Sequence, residues 1–332
     1  MAISGNTGPT RRLTRRTVLT GAAALLAGAA AAAASPARAA TAPHIYAAAT
    51  GWTGRGGELL VLTAETDSDR ASDHVLRVLE PAEAADGTVT GVLGPPLPLP
   101  LPADFTPHSM AATGATLWLT GARELAPDRA RPALVRIDEG AGEYVDLPVP
   151  QGIRSGLATA VTPFGGGLAV AVEGGPDEHL TILSRSHLAV SHDGGRTWTE
   201  QQLATGLGEG NGTVLAETDR GLFAAVADGA GTQYAYTGRL TESTGLALTP
   251  AGTVANAGRP MAAVADDTHV SLYSDKDGAI TETRFTDDAR TETAFGGTAL
   301  DCACLGEILA VPGRRGLWLE TDGTTIHIRG NR

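Results

Sequence analysis

Two cysteines, Cys302 and Cys304, are all that this 332-residue chain contains, so no disulfide framework can support it and its stability must come from a core. Lysine is scarcer still: Lys276 stands alone, and 25 basic side chains face 37 acidic ones. A field of that sign repels phosphate backbones, which are bound by clustered Lys and Arg, so nucleic acid and anionic membrane are poor partners. Apolar residues at helical period are also scarce, which argues against a helical fold. The segment Gly-Ile-Arg-Ser-Gly at 152–156 lacks the Gly-x-Ser-x-Gly spacing of a nucleophile elbow, so no serine hydrolase is implied. An uncharged run of Ala, Gly, Leu and one Thr extends from Val18 to Ala34. At about 17 residues rich in alanine it is at the lower limit for a roughly 30 Å hydrocarbon core, and no membrane span is expected of the mature protein.

That run sits in a leader. Arg11-Arg12 and Arg15-Arg16 precede it, and Ser35-Pro36-Ala37-Arg38-Ala39 follows with small residues at Ala37 and Ala39, which is the order of an export signal with cleavage near Ala39. Thr14-Arg15-Arg16-Thr17-Val18-Leu19 resembles the twin-arginine (Tat) motif, with Val18 where Phe is usual and Thr20 where Lys is frequent. The resemblance implies transport in the folded state, sometimes with a metal or cofactor aboard, and a secreted or extracytoplasmic destination. Residues 1–39 are thus expected to be a signal peptide and 40–332 a single domain. Removing the leader takes away five of the 25 basic residues and none of the 37 acidic ones, leaving a net charge of −17.

The rest of the chain is built from short apolar runs separated by Gly, Asp, Thr and Pro clusters, which predicts an all-β fold. One unit returns six times: an Ala-rich strand, a tight turn, and a strand rich in Leu, Val and Trp or Phe. With Ala48, Ala112, Ala160, Ala216, Ala263 and Ala310 as markers, the spacings are 64, 48, 56, 47 and 47 residues. Each interval has room for two more strands. Four antiparallel strands repeating at this period predict a β-propeller of about six blades, or seven if the long first interval hides one. Small Ala residues suit the innermost strands, which crowd around the axis. The last copy has only three strands before Arg329, so residues just after Ala39 are expected to close the ring. The Leu97-Pro98-Leu99-Pro100-Leu101-Pro102 stretch cannot donate to a ladder and is read as a connection between blades.

Ser191-His192-Asp193-Gly194-Gly195-Arg196-Thr197-Trp198 falls between the third and fourth strands of the third copy. Asp193 can accept hydrogen bonds from its own turn, Gly195 allows positive φ, and Trp198 can pack between sheets. The segment resembles the Asp box, or BNR repeat, Ser-x-Asp-x-Gly-x-Thr-Trp, of the sialidase-like superfamily; Ser191, Asp193, Gly195, Thr197 and Trp198 match it. Asp138–Tyr144 resembles a degenerate copy. Proteins with this box include sialidases, other glycosidases, sorting receptors and photosystem assembly factors. The resemblance implies a propeller hairpin and a structural role for Asp193, away from any active site. The Phe/Tyr-Arg-Ile-Pro motif of sialidases is absent, and none of the five tyrosines comes with a recognisable arginine arrangement, which disfavours that activity.

The repeat register gives candidate ligand contacts. Residues preceding each first strand gather at one mouth of the central channel: His44, His108, Arg154, Asn211, Arg259 and Cys304, with Asp301, Cys302 and Glu307 nearby. Cys302, Cys304, His44 and His108 offer thiols and imidazoles for a transition metal such as zinc or copper. Arg154 and Arg259 with the histidines suit an anionic small ligand. Against these stand plainer readings: His44 and His108 each follow Pro as strand-entry residues, and Cys302 and Cys304 serve as buried thiols or a strained disulfide. No cofactor is expected otherwise. The expected function is an exported binding or interaction module for a small ligand, glycan or protein. The alternatives are a glycosidase-like hydrolase of the Asp-box class and a metal-binding exported protein.

Overall fold

The computed structural model describes residues 44–64, 74–126, 129–138, 141–178, 183–210, 212–241, 245–286, 290–298, 308–321 and 325–330. Apart from one 3-10 turn at Thr53–Arg55, every regular element among them is a strand. Four sheets repeat one pattern, with consecutive antiparallel strands. The second blade is β5 (Phe105–Thr113), β6 (Thr116–Ala126), β7 (Arg129–Ile137) and β8 (Glu143–Val145). The third is β9 (Ser155–Phe164), β10 (Gly167–Gly175), β11 (Arg185–Ser191) and β12 (Thr199–Thr205). The fourth is β13 (Thr213–Thr218), β14 (Gly221–Ala227), β15 (Gln233–Thr241) and β16 (Gly245–Val254). The fifth is β17 (Arg259–Ala265), β18 (Val270–Lys276), β19 (Ala279–Phe285) and β20 (Arg290–Thr298). Where a turn must be tight the sequence supplies the residues for it: Asp277 and Gly278, between β18 and β19, both have positive φ, as a two-residue hairpin turn requires.

The first and last blades share one sheet. Blade one is β1 (His44–Ala49), β2 (Leu60–Ala64), β3 (His74–Glu83) and β4 (Val89–Leu97); blade six is β21 (Ile308–Ala310), β22 (Trp318–Thr321) and β23 (Ile326–Arg329). The order is β1-β2-β3-β4-β23-β22-β21, because β4 pairs with β3 on one side and with β23 on the other, Ile326 opposite Gly91 and His327 opposite Thr90. The fourth strand beside blade six is therefore β4, not the residues after Ala39. That also accounts for the long first interval, which contains an extended β3–β4 hairpin and no seventh blade.

The innermost strands β1, β5, β9, β13, β17 and β21 touch their neighbours in turn, and β21 returns to β1. The fold is a six-bladed all-β propeller. Each blade interface has its own apolar cluster, from Leu60, Leu62, Leu117 and Leu119 between blades one and two to Val61, Leu79, Leu319 and Ile326 between six and one. The marker alanines work as expected: Ala48 packs toward blade six while Ala47 and Ala49 pack toward blade two. The Leu-Pro stretch lays Leu97, Leu99 and Leu101 on the first of these clusters, so it is a packed connection.

Three interfaces carry a polar staple at matching places, where the third strand of one blade begins beside the start of the next blade's first strand. Ser155 Oγ donates to the Ala130 carbonyl at 2.9 Å; Ser186 and Thr213 hydroxyls meet at 2.7 Å while Thr213 donates to Glu173; Gln233 Nε2 donates to the Gly258 carbonyl at 3.1 Å and to Ser274 Oγ at 2.7 Å. Ser155, Ser186, Thr213 and Gln233 are all buried. Apart from Gln233 Oε1, which has no partner among the described residues, these buried groups are tolerated because they are paired, and their directionality fixes how one blade is set against the next.

Candidate functional site at the channel mouth

Every first strand runs from the upper mouth of the channel to the lower, so residues at its beginning line the upper mouth. His44 and Arg259 are the first residues of β1 and β17, and Arg154 precedes β9, exposed, with its backbone N–H on the Gly175 carbonyl at 2.8 Å. His108 lies deeper, within β5. The side chain of His44 and all of Asn211, Asp301, Cys302, Cys304 and Glu307 lie outside the described residues. Among the described residues no group of three His, Cys, Asp or Glu is placed to hold a metal, and no helix is long and apolar enough to cross a membrane.

His108 has a particular backbone setting. Pro107 pairs with Gly121 and Ser109 with Thr120, so His108 is an extra residue that the ladder skips. Three other first strands do the same: Tyr46 in β1, Thr159 in β9 and Met261 in β17 are each skipped in the pairing with their second strand. A bulge of this kind re-aims a side chain and shifts the in/out alternation by one. The shift is visible in the packing. Ala158 faces the cluster between blades two and three, whereas Ala160, two residues on, faces the one between three and four.

The imidazole of His108 is half-buried. Burial first, and then the field of Arg259, push its pKa down to about 4, so it is neutral near pH 7. Blades two and five are opposite in the ring, so this coupling crosses the channel. Arg259 is half-buried and lies 3.6 Å from Asp275. Gln233 holds the carbonyl of Gly258, the residue before Arg259, and so positions it. Thr159 is 7% exposed, and its hydroxyl has no hydrogen-bond partner.

The lower mouth is different. The loop from Val311 to Gly316 crosses it from blade six: Gly316 N–H donates to the Ala265 carbonyl of blade five at 2.7 Å, and Arg315 pairs with Asp219 of blade four. At Gly313 a Cβ would stand 3.4 Å from Pro163 of blade three and 3.9 Å from the Thr50 carbonyl of blade one. The loop covers the lower end, and a recess lined by Thr162, Glu217, Ala263 and Arg314 lies against it.

The turn at 191–198 is on the lower face too, beside the β9–β10 turn, with the His192 ring 6.4 Å from Phe164. Asp193 Oδ1 accepts the backbone N–H groups of Arg196 and Thr197 at 3.0 and 2.9 Å, and Oδ2 accepts the Thr197 hydroxyl at 2.7 Å. Ser191 Oγ accepts the Gly195 N–H at 2.8 Å, and the Trp198 indole N–H donates to the Gly195 carbonyl while its ring packs between blades two and three. Gly195 has φ 82°, and a Cβ there would meet Val145 at 2.6 Å. Asp193 acts within its own turn. Asp138 instead accepts from Thr116 at 2.5 Å and pairs with Arg136, which ties it across its blade.

Arg154, Arg259 and His108 belong to the starts of three first strands, whereas the repeat register does not mark Thr159, Gln233 or the lower loop. Proline before the extra residue at Pro107-His108 and Pro260-Met261 is a signal for two of the bulges; nothing local marks Thr159.

No family model matches the chain, and no curated protein matches it by sequence. Solved structures do. The soluble aldose sugar dehydrogenase of Escherichia coli, in apo form, is similar at 11% identity and a TM-score of 0.52, over 87% of this chain and 96% of that one. The PQQ-bound aldose sugar dehydrogenase of Streptomyces coelicolor is similar at 14% identity and 0.50, over 88% and 96%. Trypanosoma rangeli sialidase is similar at 13% identity and 0.43, over 77% of this chain and 45% of that one, a likeness too slight to carry weight. At these identities the first two support the propeller fold alone.

Proposed function

We propose that this chain is an exported binding module that holds a small anionic ligand at the upper end of its channel. The observation that carries this reading is the placement of Arg259 at the start of β17 and of His108 at the bulge of β5, the first strands of opposite blades. An arginine supplies the charge and a neutral imidazole supplies one donor and one acceptor, neither engaged by a described residue. Export by the twin-arginine route, with cleavage near Ala39, rests on the leader motif, and a kinship with Asp-box proteins rests on the turn at Asp193. A propeller whose first and last blades share one sheet suits export in the folded state.

The glycosidase-like alternative needs two carboxylates about 5–10 Å apart at this mouth. Asp275 is already engaged with Arg259. Metal binding through Cys302, Cys304, His44 and His108 is a separate proposal, tested by elemental analysis of protein purified from its native export route.

The binding reading is tested by calorimetric titration of the mature protein with gluconate, hexanoate and citrate. Binding of at least one, lost in both Arg259→Ala and His108→Ala at unchanged melting temperature, supports it. Turnover of sialosides or other glycosides that these substitutions abolish would replace the module with an enzyme.

A further inference from the structure

We infer that the recess at the lower end of the channel binds a compact zwitterion, an α-amino acid with a small side chain. This site lies at the opposite end of the ring from the anion site proposed above and stands or falls independently of it. Four blades line the recess through Thr162 of β9, Glu217 of β13, Ala263 of β17 and Ala310 of β21, with the loop from Val311 to Gly316 across them. Its volume is about 80 Å³. Leu215 packs in the cluster between blades three and four, and β13 has no bulge, so Glu217, two residues on, is on the same face near the strand's lower end. Arg314 is brought in from the loop, whose turn is tied by the Arg314 N–H on the Val311 carbonyl at 3.1 Å and the Leu317 N–H on the Arg314 carbonyl at 3.4 Å.

The charged residues that line the recess are Glu217, Arg314 and Arg315. Arg315 pairs with Asp219, which fastens the loop to blade four as the Gly316 N–H fastens it to the Ala265 carbonyl of blade five. On the same face, Asp266 and His269 pair within their own turn at 3.1 Å, and Arg220, in the turn after β13, is engaged by a group other than Glu217. Glu217, half-buried, and Arg314, exposed, are left: their side chains pair with no described residue and not with each other. The lining therefore offers one negative and one positive group held apart. A ligand with both complementary charges satisfies them together, its ammonium on Glu217 and its carboxylate on the N–H fork of Arg314. Beside protein walls such pairs are stronger than at an open surface. A ligand with one charge leaves the other group unmatched, which is the basis of selection. The rest of the wall is small and apolar, with Leu215, Ala263, Ala265 and Ala310, so a hydrogen or methyl on the α-carbon fits and a large side chain does not.

Calorimetric titration of the mature protein with four probes reads each requirement: L-alanine (both charges, compact), propionate (negative charge only), ethylamine (positive charge only) and L-tryptophan (both charges, large side chain). Alanine is expected to bind about tenfold or more tighter than each of the others. Glu217→Gln and Arg314→Gln each remove one charge and are each expected to weaken alanine about tenfold or more at unchanged melting temperature. Arg259→Ala, at the upper end, is expected to leave alanine binding unaltered. If propionate or ethylamine matches alanine, the site takes a single charge and the zwitterion reading is overturned. If tryptophan matches alanine, or alanine binding survives either Gln substitution, the ligand sits outside the recess and the proposal falls. Absence of alanine binding overturns it as well, leaving only solvent under the loop. None of these results touches the anion site, which is read separately from gluconate, hexanoate and citrate with Arg259→Ala and His108→Ala.

Discussion

His108 and Arg259 act on each other across the central channel, although they come from blades two and five and are separated along the wall by two blades on either side. The imidazole is held neutral by burial and by that guanidinium, with a folded pKa near 4 against an ordinary 6.5. Between these values the unfolded chain binds the proton and the folded protein does not. Stability is therefore highest above pH 6.5 and declines as pH falls from 6.5 toward 4. Allowing for the ring's partial exposure, the contribution is about 1–3 kcal/mol. Urea midpoints at pH 7, 5.5 and 4.5 should fall more steeply for the natural chain than for His108→Asn. Equal slopes would place the ring in a more solvated setting.

Gln233 supports the arginine from behind. Its Nε2 reaches the Gly258 carbonyl and Ser274 Oγ while the residue is fully buried. Gln233→Leu keeps the volume but leaves both partners without their donor, at about 1–3 kcal/mol. The melting temperature should drop, and affinity for an anionic probe should drop more than in an equally destabilised core variant such as Val254→Ala. A parallel loss in the two variants would reduce Gln233 to an ordinary interface residue.

Much of this architecture is legible in the sequence because each blade's first strand must be small near the axis, and alanine at Ala48, Ala112 or Ala263 records that constraint directly. The ring closure is not legible for the opposite reason. Whether β4 turns its free edge to β23 depends on the length of the β3–β4 hairpin and on Gly91 clearing Leu79, neither of which has a local periodicity. The site divides in the same way. Register alone puts Arg154 and Arg259 at the upper mouth. A bulge at Thr159 changes one residue's direction without changing composition, and the loop at Val311–Gly316 acquires its role only from blades distant in sequence.

Asp193 offers a contrast between staple and site. The Thr197 hydroxyl first, then backbone N–H groups, hold its carboxyl well below the usual 3.8. A carboxylate lowered in this way stabilises the fold above its unfolded pKa, and that contribution fades as pH falls below 3.8. Asp193→Ala should lower the melting temperature by a few degrees near pH 7 and leave probe binding at the opposite mouth unchanged, as read by thermal denaturation and calorimetry together. Loss of binding with an intact melting temperature would contradict the structural role.

Gly91 tests the closure of the ring. It sits in β4 opposite Ile326 of β23, and a Cβ placed there would come within 2.5–2.8 Å of the Leu79 side chain, which is 1% exposed in the cluster between blades one and six. Gly91→Val must displace Leu79 or push β4 outward, an overpacking that costs about 1–3 kcal/mol. The strain falls where the two ends of the ring are joined, and blade six has only three strands of its own. Amide exchange at Ile326, His327 and Ile328 should therefore speed up more than exchange at Leu168–Val172 in blade three. A uniform acceleration would mean that the closure is no weaker than the rest, and no acceleration at all would mean that β4 does not hold blade six.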